Sequence, residues 1–300
     1  MNRKFNEGWD IPKRYLRVRL YQDKQGNQNK NTLNWLTEDV RVQFDISAAV
    51  TGAIKEANIT ISGMQVQKMF AVATNSTLWV KDWLQHRIVI TAGYYGKYAT
   101  VFDGTVIDAA PNLESADYSI TIKAVTGFQK LSNAKSYNFP GPTPVSTIAA
   151  TFAADNEWGF VDGLQDDSIT ISDFYAYEQN VFDQMRMLTQ MLPIEMYVAE
   201  NRLYLKPRGR TAKNVPDLTL NSRDIIGIPR PTQTGCKVKV RMNPWVRSGQ
   251  QVKLNSTKYP ELNTINFWLD SFAHAGDTYG SDWFTEIQLT KDGLGYYKNE

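Results

Sequence analysis

The sequence predicts a mainly β fold with an α+β insertion, in which two antiparallel β-barrels flank a helix-containing domain. Three observations point there. From Arg87 to Ala124 the chain reads as consecutive strands, ending in Tyr118, Ile120, Ile122 and Ala124 alternating with Ser119, Thr121 and Lys123. That period of two marks a strand with one face on a core. Val181, Met185, Leu188 and Leu192 follow helical spacing instead, and Pro193 stops them. After Gly209 the alternation returns, most clearly over Trp283 to Thr290. The predicted boundaries are residues 1–135 for the first barrel, 136–212 for the insertion and 213–300 for the second barrel.

Taken in order, Tyr15 to Tyr21 is a half-buried strand whose polar face carries Arg17 and Arg19, a solvated face rather than a nucleic-acid site. Gln22 to Asn34 is a polar loop. Val40 to Ile46 and Glu56 to Gly63 are strands, and Lys68 to Lys81 is a connection with a short helix or strand. Arg87 to Ala92 turns at Gly93-Tyr94-Tyr95-Gly96 into a strand through Val101 and Phe102, with a bulge or bend expected at Gly104. Antiparallel strands in such a run need closure or a covered edge.

Prolines 140, 142 and 144 change the texture. Thr143 is read as an N-cap with Pro144 at the first position of a helix near 144–154. Ile169 to Tyr175 is a short strand, 180–192 the clearest helix and 194–205 a hairpin. The methionines at 185, 187 and 191 are core filler. Short strands follow at Pro216 to Leu220, Cys236 to Met242, Gly249 to Asn255 and Ile265 to Ala273. His274 to Gly280 is a turn-rich segment before the last strand.

Gln251 to Thr290 echoes the pattern of Arg87 to Val125 without matching its identities. Two β-bodies of one plan have a consequence for symmetry: three copies in a closed ring would present six similar bodies, able to mate with a six-fold partner.

Composition narrows the chemistry. The 300 residues carry 33 basic and 31 acidic side chains, a net charge of +2, which gives no electrostatic case for wrapping nucleic acid. A single cysteine, Cys236, excludes an intramolecular disulfide, and we read it as a small buried residue. No apolar h-region opens the chain and no apolar run reaches membrane-span length, so folding in a reducing cytoplasm without stable membrane association is expected. With two histidines, His86 and His274, and no ligand-spaced cluster, phosphate loop or nucleophile elbow, no metal, cofactor or catalytic set is assigned. His274, Asp277 and Asp282 form the sharpest polar group, readable as an oriented base. A glycine-flanked turn in which Asp277 bonds its own backbone is the preferred reading. Asp166-Asp167 and the Glu195 and Glu200 pair lack support as glycosidase acids. Trp79, Trp83, Trp268 and Trp283 suit core or interface burial better than a sugar platform.

In the C-terminal third, Gly227 to Pro229, Gly235, the Asn243-Pro244 turn, Gly249 to Leu254 and the turn motif His274, Gly276, Asp277, Gly280 and Trp283 follow one another in order. In this order of motifs it resembles the hub proteins at the distal end of bacteriophage tails, a family that includes contractile-phage hubs and the base of type VI secretion spikes. The GYYG turn, VFDG bend and ITIKAVTG strand of the first body resemble the family's first barrel. The resemblance implies tail-tube-like barrels and a non-enzymatic homotrimer that adapts a six-fold tail tube to a three-fold spike or tail tip. It implies other baseplate proteins as neighbours, an axial channel through which DNA passes transiently, and a place in the virion tail after assembly in the host cytoplasm. The chain ends soon after its last strand, so a separate spike protein and no lytic domain are expected. The alternative reading is a carbohydrate-binding tail-tip β-module.

Overall fold

Alternating apolar residues organise the protein into strands whose inner rows meet in shared cores. The computed structural model describes residues 12–23, 35–36, 40–49, 54–75, 85–114, 117–127, 134–164, 169–199, 202–210 and 215–291. The first region contains β1 (Arg14–Asp23), β2 (Trp35–Leu36), β3 (Val42–Ala49), β4 (Glu56–Ser62), α1 (Val66–Asn75), β5 (Gln85–Tyr94), β6 (Lys97–Asn112) and β7 (Ser119–Val125). The middle contains β8 (Ala134–Pro144), α2 (Val145–Asp155), β9 (Gly159–Asp162), β10 (Thr170–Asn180), α3 (Val181–Met191), β11 (Ile194–Ala199) and β12 (Arg202–Pro207). The last region has β13 (Leu218–Asn221), β14 (Arg230–Pro231), β15 (Gly235–Arg241), β16 (Gln251–Asn255), a 3-10 turn at Pro260–Thr264, β17 (Phe267–Asp277) and β18 (Trp283–Lys291).

The first and last regions form one curled, mostly antiparallel sheet. In the first half the strands neighbour one another in the order β3-β4-β7-β6-β5-β1; in the second the order is β14-β15-β18-β17-β16-β13. The pattern echo in the sequence therefore becomes an echo of topology. One difference is that β1 runs antiparallel to β5 while β13 runs parallel to β16. The halves join where β3 pairs with β17, from Gln43 opposite Asp277 to Ala49 opposite Ser271.

Three cores follow the chain. Leu20, Phe44, Ile59, Ile88, Phe102 and Ile122 belong to the first, which α1 helps to cover through Met69 and Val72. Val238, Leu254, Phe267, Leu269 and Ile287 belong to the second. The middle region builds the third from the apolar faces of α2 and α3, with Ile148, Phe152, Met185 and Leu188 packed against Ile194, Met196 and Leu205. A fully buried side chain of this size contributes roughly 1.5–3 kcal/mol over its exposed state.

Several local expectations need correction. Gly104 pairs regularly with Ile88, and the register shifts fall on either side of it, between the pairs at Ile90 and Thr91 and between Val106 and Asp108. Gly104 serves close approach instead, since an added Cβ would lie 2.6 Å from both the Phe102 ring and the Val125 oxygen. The proline-rich segment is the end of a strand not predicted from the sequence, β8, paired with β10. Its prolines are tolerated because β8 has a partner on one edge alone among the described residues. Pro144, at φ −58° and ψ 136°, is itself the α2 N-cap and makes no side-chain cap bond, so Thr143 is not the cap. The ambiguous segment after Gln67 is α1 as far as Asn75; the rest of it, most of the polar loop after Gln22, Trp79, Trp83, Asp166, Asp167 and Glu200 lie outside the described residues. The clear helix is α3, capped by Asn180, whose side chain accepts from the Asp183 N–H. β9 pairs in parallel with β12, a strand too short to show a period. Finally, β17 runs through His274 to Asp277, so the hairpin turn begins at Thr278.

Candidate functional site

The last hairpin reaches out of the second half and into the first. Trp283, at the start of β18, belongs to the first core rather than the second. Its indole Nε1 donates to the Gly93 carbonyl at 3.1 Å, and its ring meets Phe44 edge-on at 5.8 Å. Arg14 lies over the same ring at 5.5 Å, a cation–π arrangement. Trp283 and Trp268 are each 5% exposed, so neither offers a sugar-stacking face.

Asp277 ends β17 beside β3. Its carboxylate accepts from Arg41 Nη2 at 2.7 Å, Arg41 Nε at 3.3 Å and Gln43 Nε2 at 3.0 Å. It also accepts from the Tyr279 N–H at 3.0 Å, a bond from its own turn. The Arg41 hydrogen bond, joined by those of Tyr279, Gly280 and Gln43, holds this carboxyl well below the usual carboxylate range. Around it, Thr278 N–H donates to the Val42 carbonyl at 3.0 Å and Val42 N–H to the Thr278 hydroxyl at 3.0 Å. Arg14 Nη1 donates to the carbonyls of Asp277 at 2.9 Å and Gly280 at 2.7 Å.

Both glycines of the motif have steric reasons. A Cβ on Gly276 would lie 2.4 Å from the Phe44 ring, and one on Gly280 would lie 2.4 Å from Asp277 Oδ2. His274 is 1% exposed, and its Nδ1 lies 2.9 Å from the Thr285 hydroxyl. Burial, reinforced by Lys55 and Arg247, brings its pKa down to about 3, so it is neutral near pH 7. The structure does not bring His274 and Asp277 together: one bonds Thr285 on β18, the other bonds Arg41 and Gln43 across the seam. A shared acid–base pair therefore has no geometric basis. Among the described residues no group of three or more histidine, cysteine or carboxylate side chains could hold a metal, and no helix is long and apolar enough to cross a membrane.

The motif thus locks two half-sheets into one wall. Sequence reasoning singled out one side of this lock and missed the other, namely Arg14, Arg41, Gln43, Phe44 and Gly93. The available signal was weak: Arg14 and Arg41 each stand at the start of a strand, where any charged residue is unremarkable.

Known proteins share the fold of this chain. The family model described as baseplate hub gp41 matches residues 16–274. The chain belongs to the baseplate hub gp41 family. No curated protein matches it by sequence. Among solved structures, it is similar to a tail protein from Neisseria meningitidis MC58, with a TM-score of 0.60 at 12% identity over 94% of this chain and 98% of that one. The 43 kDa tail protein of prophage MuSo2 from Shewanella oneidensis gives 0.58 at 10% identity, covering 93% and 97%. The E. coli c3393 protein, a type VI secretion component described as similar to the T4 tail proteins gp27 and gp5, gives 0.59 at 10% identity, covering 92% and 78%. At such identities these likenesses speak for the fold. The family makes the chain a structural component of the phage tail baseplate.

Proposed function

We propose that this baseplate hub works as a homotrimeric ring that adapts a six-fold tail tube to a three-fold spike or tip and lines the axial channel. One observation carries the reading. Two half-sheets of the same strand order sit side by side in one chain and share a ladder at β3 and β17. Three such chains in a closed ring give six like bodies, and closed rings are the usual outcome of head-to-tail contacts. On this reading residues 1–135 and 213–300 are the two barrel-like units and 136–212 the insertion; three hydrophobic clusters support it, with Trp283 and Tyr197 each packing into a neighbouring unit's cluster.

The wall of the channel is the polar face of this sheet. In the first half it carries Gln43, Asp45 and Ser47 on β3, Asn58 and Thr60 on β4, and Lys123 and Thr121 on β7. In the second half Lys237 and Lys239 on β15 lie on the same face, with Glu286 on β18 opposite Lys239. Interspersed carboxylates and small polar groups offset these cations, which suits a surface past which DNA moves without lasting attachment. The partners are the tail tube protein, the spike or tip protein and other baseplate proteins, and assembly takes place in the host cytoplasm.

The test is mass in solution combined with negative-stain imaging, alone and with tube and spike proteins. Trimers seen as rings with a central hole are expected. A strict monomer in the presence of both partners contradicts the proposal.

A further inference from the structure

The seam inside one chain has a counterpart that one chain leaves open. Superposing the halves by their bulges makes this concrete. In the first half Ala57 pairs with Ala124, and Ala124 with Val106, the residue before a register shift. In the second half Cys236 pairs with Leu289, and Leu289 with Leu269, again the residue before a register shift. Ile46 lies opposite Ala57 and Pro231 opposite Cys236. Thus β14 stands where β3 stands, and β6 where β17 stands.

β17 uses the edge beyond its bulge to hold β3, with Ala48 opposite Phe272. The same edge of β6 holds nothing: beyond its bulge β6 pairs with β7 alone, and the segment around β14 pairs with β15 alone, among the described residues. Both open edges carry apolar side chains in water. Leu113 is 38% exposed at the end of the first, and Ile228 is 57% exposed beside the second. Burying these on one another is favourable, and each edge is the other's structural complement.

We propose that the segment Ile228–Thr234 of one copy docks along β6, from Asp108 to Leu113, of a second copy, repeating the β3–β17 seam between subunits. This rests on the ring reading above and names its contact. The equivalence places Gln233 opposite Ala109 and Pro231 opposite Pro111. Proline has no N–H to donate, so the ladder is interrupted at that pair and the contact relies on side chains around a short paired stretch. The prolines also blunt both edges against unrelated strands while they are exposed. Because the two patches differ, the contact is head-to-tail, and a three-fold rotation closes it into a ring.

Cysteine pairing tests it in particles assembled with tube and spike proteins. Ala109→Cys and Gln233→Cys are introduced together; the native Cys236 is buried. Mild oxidation is expected to give covalent closed trimers from the double variant, dimers from a mixture of the two single variants, and monomers from either single variant. A second variant, Ile228→Asp, is expected to lower ring yield at least tenfold with the thermal unfolding of the chain unchanged. Rings that form normally without cross-links place the contact elsewhere and overturn this inference while leaving the trimer standing. Absence of rings from the wild-type chain with both partners overturns the ring reading, and this contact with it.

Discussion

Buried histidines give the protein an acid-sensitive interior. His86 is 1% exposed between β5 and α1, and burial lowers its pKa to about 4. His274, equally buried on β17, is lowered to about 3. Both folded values lie below the ordinary value near 6.5, so the unfolded chain binds protons first. The stability these groups give is complete above about pH 6.5 and is lost as pH falls, at about 1.4 kcal/mol per pH unit for each histidine. The loss from His86 levels off near pH 4 and that from His274 near pH 3. Asp277, whose carboxyl is depressed, adds a further loss only below the ordinary carboxylate range. Urea midpoints measured from pH 7 to pH 4 are expected to fall steadily, with a shallower slope for His86→Phe. An unchanged slope in that variant would contradict the assignment.

At the scale of elements, a buried ion pair inside the insertion reaches the second half through its lysine. Lys206 on β12 and Glu195 on β11 are 0% and 4% exposed at their side chains and bond each other. Lys206 Nζ also donates to the Arg210 carbonyl at 2.7 Å and sits 4.5 Å from the Trp268 ring of β17. Removing one partner strands the other's charge, so Lys206→Met alone is expected to cost about 3–5 kcal/mol. Adding Glu195→Leu is expected to restore much of that loss, as a double-mutant cycle by chemical denaturation would show. Strands with a solvent face, such as β3, β4 and β18, were legible because alternation declares them. α3 was legible because its apolar stripe and the Pro193 stop agree. β8 was not, because prolines that break a central strand are harmless on a free edge. The end of β17 was misread because Gly276 signals a turn in sequence but makes room for Phe44 in space. Half of the lock at Asp277 and Trp283 was invisible for a related reason: its partners, Arg14, Arg41 and Gly93, lie about 190 to 270 residues away along the chain.

For the whole molecule, the decisive feature is repetition. The order β3-β4-β7-β6-β5-β1 recurs as β14-β15-β18-β17-β16-β13, and one joint between the halves is made inside the chain. The sequence echo indicated two bodies of one plan but not that they share a ladder, because pairing between β3 and β17 leaves no local mark. In the proposed ring, the open joint continues the chain into copies of itself, and the Asp277 and Trp283 contacts hold the two halves of each copy together. Imaging of the hub within its native tail particle tests this most directly. The account predicts three copies around the tail axis, appearing as six like bodies enclosing a channel continuous with the tube. A single copy off the axis, or a ring whose bodies do not alternate between the two halves of the chain, would contradict it.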